Sequence, residues 1–334
     1  MAVVSLGDLR DLAQGALTAS KTSPDNAAFV ADALIKADAD GIPSHGVARI
    51  PAYADQALSG KVDGFAVPEI TETGASALRV DAKCGFAYPA IVRGLDRAAA
   101  MAAGTGVAAA AIGNSHHAGV GGHHVESMAE RGLAAMMFLN SPAAITPWGG
   151  NRSLYGINVM AFACPRPEGP PLVIDSSFSK VARGKVKLAA DRGEPIPEGW
   201  CLDAEGHPTT DARAGFEGSF LPMGDARGAA LVLMVELLCS AMTGSNFAYE
   251  ASSFYDAEGG PPHVGHMFIV FNPQSLGGET VLDRTEELMA AILDQPGTRL
   301  PGSRRLECRE KAQAEGVDIA DDLLDEIKKI IADG

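Results

Sequence analysis

The sequence predicts a mixed α+β protein in which helices from both chain ends form a discontinuous layer around a β-rich middle. Apolar residues recur at helical spacing at both ends: Leu9, Leu12 and Leu17 near the start, and Ile319, Leu323, Ile327 and Ile330 near the end. Between these ends lie short apolar runs broken by Gly and Pro, the pattern of strands and turns. Within that middle, 106–112, 125–132 and 133–139 read in order as strand, helix and strand, with a glycine-rich turn after the first.

Each element has its own signal. Ser5, with Asp8 three positions on, caps a first amphipathic helix. Ser23-Pro24 opens a second, with Ala27, Val30 and Leu34 inside, that runs into Gly41. A third candidate over 46–58 contains Pro51, which either opens a helix there or kinks one already begun. Strands at 77–81 and 106–112 flank a helix at 88–103. The stretch 143–225 is rich in Gly and Pro, with β-like runs at 159–163 and 171–174 and a helix at 185–192 ended by Gly193. Trp148 and Trp200 stand next to turns and are expected to tuck under them. The most apolar segment, 229–242, holds Glu236 and is too short to span a bilayer, so a buried core helix over 227–243 is expected. A strand at 266–271 and the terminal helix complete the chain.

A chain of 334 residues can bury a sizeable core. Its 27 basic against 42 acidic residues give a net charge of −15, which argues against nucleic acid or an anionic membrane as partner. An anionic small molecule remains possible where Arg and Lys cluster. Five scattered cysteines without a CxxC pair are expected to be free thiols of a cytoplasmic protein. Charges within the first apolar stretch leave no signal-peptide core.

The densest chemistry lies at Asn114-Ser115-His116-His117-Ala118-Gly119-Val120-Gly121-Gly122-His123-His124, which holds four of the eight histidines. The adjacent pairs lack metal-ligand spacing, so His116, His123 and His124 are expected to pack or cap and no metal is assigned. The glycines nearly imitate a dinucleotide fingerprint, but His124 stands where GxGxxG needs Gly. The turn either holds phosphates in another geometry or merely turns the chain tightly. A second concentration is Ser44-His45 with Arg49. On a helix these would put a proton donor and a carboxylate clamp on one face, as reduction of a 2-oxo acid requires; alternatively Ser44 is an N-cap. Asp175-Ser176-Ser177 follows an apolar run, Arg183-Gly184-Lys185 follows that, and Arg227 opens the apolar helix beside Asp225. The segment Arg299-Leu300-Pro301-Gly302-Ser303-Arg304-Arg305 is a positive cluster suited to a phosphate.

Taken in order, Ser44-His45-Gly46 with Arg49 and Tyr53, Asn114-Ser115-His116-His117, Pro147-Trp148-Gly149-Gly150, Gly156 with Asn158, Ala182-Arg183-Gly184-Lys185, Gly193-Glu194-Pro195-Ile196-Pro197-Glu198-Gly199-Trp200, Arg227-Gly228 and Leu300-Pro301-Gly302 with Arg304-Arg305 resemble the malate/L-lactate dehydrogenase family. That family also holds sulfolactate and ureidoglycolate dehydrogenases and piperideine-2-carboxylate or pyrroline-2-carboxylate reductases. The resemblance implies a non-Rossmann nicotinamide-binding fold with a largely antiparallel sheet and a homodimer with its active site near the subunit interface. It implies three parts: a discontinuous helical, dimerisation and substrate part, 1–75 plus 275–334; a connecting α/β part, 76–115; and a nicotinamide-cofactor domain, 116–274.

By the same resemblance His45 is the proton donor, Ser44 its relay partner, Arg49 the carboxylate ligand and Lys185 a further relay. His117 opens the cofactor turn and is the rival acid/base. His117, Ala118, Gly119, Val120 and Gly121, Asp175, Ser176 and Ser177, Arg227, and Arg299, Leu300, Pro301, Gly302, Arg304 and Arg305 would contact NADP or NAD. Departures stand beside the matches. Arg227 replaces a usual Lys, with Asp225 beside it, so the choice between NAD and NADP is open. Ile157 replaces a Thr and alters the substrate pocket. The expected activity is interconversion of a small 2-hydroxy acid and its 2-oxo acid, of malate, lactate or sulfolactate type. Alternatives are reduction of cyclic imino acids and, more remotely, an inactive dinucleotide-binding relative.

Overall fold

The computed structural model describes residues 1–334. Helices Leu6–Ala19 and Pro24–Ala39 begin as their caps require: Ser5 Oγ accepts from Asp8 N at 3.1 Å and Ser23 Oγ from Asn26 N at 3.3 Å. Pro51 opens a helix, Ile50–Ser59, because its missing N–H falls in the unpaired first turn. Two 3₁₀ turns, Pro43–His45 and Val47–Arg49, precede it. The chain ends meet as expected. Strand Ala2–Val4 pairs antiparallel with Val317–Ile319, and helix Asp321–Asp333 packs on Leu6–Ala19 around a core containing Leu9, Leu17, Leu34, Ile50 and Ile327. Ile319 therefore lies on a strand rather than on the terminal helix, since Gly316 ends the helix Ser303–Glu315 just before it.

The centre is a seven-stranded sheet in the order Glu69–Gly74, Ala77–Asp81, Val107–Ser115, Val264–Phe271, Ala134–Leu139, Val159–Cys164, Leu172–Ser177. Only Ala77–Asp81 and Val107–Ser115 pair in parallel, joined by the crossover helix Ala87–Thr105; every other neighbouring pair is antiparallel. The segments 76–115 and 116–274 thus contribute to one sheet. Its small residues Ala108, Ala110, Ala135, Ala161 and Ala163 are buried against helices Ala87–Thr105 and Gly121–Ala129, which lets the helices approach closely. A second, five-stranded sheet is built from short strands between Ala143–Ile145 and Ser219–Phe220.

Two further expectations fail. The apolar helix Asp225–Glu236, continued by a π-helical turn Leu237–Ala241, is not buried all round: Val232, Val235 and Cys239 face the core, while Leu231, Leu233, Met234 and Leu237 are exposed. Its apolar character serves two faces, only one of which the chain itself covers. Trp148 is 56% exposed, so its ring lies outside the Pro147–Gly150 turn. No helix is long and apolar enough to cross a membrane.

Candidate active site

The Ser44–Arg49 segment is held from beneath by helix Pro24–Ala39. Asp38, buried on its last turn, accepts from Val47 N at 2.8 Å. Its carboxyl lies so close to the Gly46 backbone that a Cβ there would collide with it. Burial raises Asp38 to about 7, opposed by the Val47 N–H. Ser44 is no helix cap: its Oγ lies 3.0 Å from His45 Nδ1. Arg49 Nε donates to Ser44 O at 2.8 Å, its guanidinium covers the Tyr255 ring at 4.4 Å, and its buried Nη1 has no partner. The 3₁₀ turns, rather than a continuous helix, bring Ser44, His45 and Arg49 together.

His45 and His117 face each other with ring centroids 5.3 Å apart. Tyr53 OH lies 2.6 Å from His117 Nδ1 and 3.2 Å from Tyr88 OH, forming a buried phenol–phenol–imidazole chain. If Tyr53 donates to Nδ1, the ring hydrogen of His117 is on Nε2. Phe254 packs on His117 at 5.2 Å, and its carbonyl accepts from Gln56 Nε2, which fastens the 252–263 loop to helix Ile50–Ser59. Burial, reinforced by Arg49 and His123, pushes His45 down to about 4. Burial, then Arg49 and His45, holds His117 well below the ordinary imidazole value. Both rings are neutral at pH 7.

The other histidines of the motif pack, as expected. His116 donates to Gln56 Oε1 at 2.6 Å, His124 to Ala118 O at 2.8 Å and His123 to Asp40 Oδ2 at 2.8 Å. No group of three or more His, Cys, Asp or Glu is placed to hold a metal.

The proposed cofactor segments are neighbours. Gly119 has φ +67, and a Cβ there would stand 2.7 Å from Tyr88 OH, so the turn after His117 requires glycine twice over. Gly122 N donates to Asp175 Oδ2 at 2.7 Å, joining the helix N-terminus to the end of strand Leu172–Ser177. Burial raises the Asp175 pKa, and the Gly122 N–H opposes that rise. A Cβ on Gly302 would lie 3.4 Å from Val173 O, so the 299–305 turn abuts the same strand. Met223 N donates to Phe178 O, bringing the helix that carries Arg227 next to Ser177.

Arg227, Arg299 and Arg304 are exposed and free of ion pairs, a donor set that suits phosphates in so acidic a chain. Arg305 differs. It donates to Glu126 at 2.8 and 3.1 Å and to Asp40 at 3.2 Å, inside a buried network with Arg309, Lys36 and His123. Its guanidinium is engaged within the protein rather than turned outward. Lys185 is exposed on helix Arg183–Arg192 and no ion pair ties it to His45. Ile157 is half-buried, its N–H bonded to Ser141 Oγ. Its loop is fixed by Glu236, which receives bonds from Ala248 N, Asn140 and Asn158.

Residues 4–328 match the model of the family described as malate/L-lactate dehydrogenase. The chain belongs to that family. A (2R)-3-sulfolactate dehydrogenase (NADP(+)) of Chromohalobacter salexigens is 49% identical over 98% of this chain and 97% of that protein. A Δ1-pyrroline-2-carboxylate/Δ1-piperideine-2-carboxylate reductase of Pseudomonas putida is 39% identical over 98% and 96%. The crystal structure of Δ1-piperideine-2-carboxylate reductase from Pseudomonas syringae superposes with a TM-score of 0.93 at 38% identity, covering 99% of this chain and 100% of that one. The expectation of a dehydrogenase-family NAD(P)-dependent oxidoreductase is thereby met, and the mixed α/β architecture is shared with these neighbours.

For this family member, the sequence reading overlooked Asp38, Gln56, Tyr88, Phe254 and Tyr255. Two aromatics next to each other in a Gly- and Pro-rich loop were the available signal, since an exposed loop seldom carries such rings without a contact to make.

Proposed function

We propose that the protein interconverts a small 2-hydroxy acid and its 2-oxo acid with NAD(P), the substrate being of malate, lactate or sulfolactate type. The buried Arg49, with Nη1 unpartnered beside two neutral, facing histidines, carries this reading. A carboxylate completes the bonding of Arg49 and places the adjacent C2 oxygen toward His45. When bound, the nicotinamide supplies or accepts the hydride at C2. In the oxidising direction neutral His45 takes the hydroxyl proton, with Ser44 orienting its Nδ1; in reduction it returns that proton to oxygen. Anion binding at Arg49 also offsets a charge that depresses His45, so substrate makes the imidazole a better base. Lys185 serves as an outer relay, and Ile157 lines the substrate pocket.

The turn His117–Gly121, Asp175–Ser177, Arg227 and the Arg299–Arg304 turn would hold the dinucleotide, with Arg305 acting through the buried network. Lys180, 3.9 Å from Asp225, offsets the acid next to Arg227 and favours NADP over NAD. The binding mode is non-Rossmann, in keeping with the mostly antiparallel sheet. The functional division is that of 1–75 plus 275–334 for substrate and dimerisation, 76–115 as connection and 116–274 for cofactor. A second copy of the chain covers the exposed face of Leu231, Leu233, Met234 and Leu237, giving a homodimer measurable by light scattering. Five free cysteines fit a cytoplasmic protein. A second reading, reduction of cyclic imino acids, is favoured by the likeness to the Pseudomonas reductases.

A spectrophotometric panel of 2-oxo acids and cyclic imines with NADH and NADPH separates the two readings, and silence across the panel refutes both. His45→Ala is expected to abolish turnover and spare dinucleotide binding, whereas His117→Ala weakens the cofactor. Near-native turnover in His45→Ala removes it as donor.

A further inference from the structure

We propose that Arg183 is the specificity residue of this site, binding a second anionic group so that the preferred substrate is a dianion with one anionic group at each end. The inference rests on the 2-hydroxy-acid reading above and deepens it. Arg183, at the start of helix Arg183–Arg192, stacks its guanidinium on Phe216 at 4.8 Å and reaches Tyr255 at 5.7 Å. The same Tyr255 ring carries Arg49 at 4.4 Å. Two guanidinium groups therefore converge on one ring, and the two distances bound the separation of their central carbons at about 10 Å.

Neither is neutralised. Arg183 Nε and Arg49 Nη1 are buried without hydrogen-bond partners. Elsewhere in the protein, buried arginines are paired: Arg305 and Arg309 both bind Asp40 and Glu126. In a chain of net charge −15, two unpaired cations on one ring mark a place kept for anions from outside. Arg183 also lines a cavity of about 280 Å³ with Ala143, Phe216, Glu217 and Phe220. Glu217 forms no ion pair with it, so the cavity's one cation is uncompensated. Stacking on aromatic rings fixes the plane of the guanidinium without quenching its charge, which suits a carboxylate or sulfonate fork and not a neutral substituent.

The dimensions agree. The anionic centres of a three-carbon dianion lie about 4 Å apart, and each charge-assisted fork adds roughly 4 Å between carbon and anion centre. A bent chain of these three lengths is compatible with that upper bound on the separation. With the C1 carboxylate on Arg49, a carboxylate or sulfonate on C3 reaches toward Arg183.

The test compares sulfolactate and malate with lactate, using the holoenzyme and the variants Arg183→Met and Arg183→Lys. The ratio of kcat/KM for dianion over monoanion is expected to fall 10- to 100-fold in Arg183→Met, mostly through KM, with partial recovery in Arg183→Lys. Equal losses for both classes, or a tenfold weaker NADPH, overturn the proposal. Arg183→Gln serves if Arg183→Met does not fold. Calorimetric binding of the unreactive pair 3-sulfopropanoate and propanoate runs in parallel. Wild-type silence on every hydroxy acid refutes the functional reading alone. A dianion preference in binding that vanishes in Arg183→Met still supports Arg183, and one that persists refutes it.

Discussion

Replacing Arg309 by Met removes the centre of the buried ion network while keeping most of the aliphatic stem. Arg309 donates to Asp40 at 2.6 and 2.8 Å and to Glu126 at 3.0 and 3.2 Å. The two carboxylate side chains are 0% and 1% exposed, so water cannot replace the lost bonds. Stripping all partners from a buried charge costs about 3–5 kcal/mol. Here Arg305 still serves both acids, His123 still serves Asp40 and Lys36 still serves Glu126, so a loss of about 2–3 kcal/mol is expected. Urea unfolding at pH 7 measures it.

The pH dependence of that loss follows from the carboxylates. Burial alone would raise Asp40, but Arg309 and His123 hold it well below the carboxylate range; Glu126, likewise raised by burial, is brought to about 2 chiefly by Arg309 and Lys36. Groups depressed in the folded state stabilise it above their ordinary values of 3.8 and 4.5, and this contribution fades as pH falls through the folded values. The penalty of Arg309→Met is therefore full at pH 7 and shrinks below about pH 4. Because the network joins the helix bearing Arg304 to the helices bearing Asp38 and Gly122, cofactor affinity should weaken in parallel. A loss under about 0.5 kcal/mol at pH 7, the size of an exposed pair, would refute the reasoning.

Two further outcomes are expected. With His45 held near 4, kcat/KM for oxidation should be flat from about pH 5 upward, while kcat/KM for reduction, which needs protonated His45, should fall about tenfold per pH unit above 4; a reduction profile flat from about pH 5 to 8 removes His45 as donor. Gly46→Ala drives a Cβ into the Asp38 carboxyl, and the displaced His45–Arg49 segment should lose about 100-fold in kcat/KM with a modest fall in Tm; unchanged kinetics would show that Asp38 does not position it.

Elements announced by local chemistry were readable from the sequence. Ser5 and Ser23 cap where predicted, and Gly193 ends the helix Arg183–Arg192 in a left-handed conformation. The antiparallel sheet was implied only by the family resemblance, because its central strands are Ala-rich and carry little alternation. Long-range pairing left no local trace at all. Nothing near Arg305 in sequence announces Asp40 or Glu126, so a guanidinium engaged by buried acids could not be told from one free for phosphate. The opposite holds for Arg183, whose lack of a partner is visible only once Tyr255 and Phe216 are placed around it. Trp148 and the outer face of helix Asp225–Glu236 misled for a common reason: apolar residues on an uncovered surface carry the same sequence signature as residues in a core.

The two rival histidines differ in what fixes them, and that difference divides their roles. His117 is tied through Nδ1 to Tyr53, whose hydroxyl touches Tyr88, and burial raises both phenols, so they stay protonated donors at any working pH. Such a ring is oriented and slow to change charge, as suits a wall of the dinucleotide turn. His45 is tied only to the Ser44 hydroxyl, which can rotate to donate or accept, and its depressed pKa owes part of its shift to Arg49. An incoming carboxylate on Arg49 offsets its charge at both rings, but His117 keeps its hydrogen bond to Tyr53 while His45 faces only a hydroxyl that can turn. His45 is therefore the ring that can gain and lose a proton without breaking a fixed hydrogen bond, as an acid/base for the C2 oxygen must.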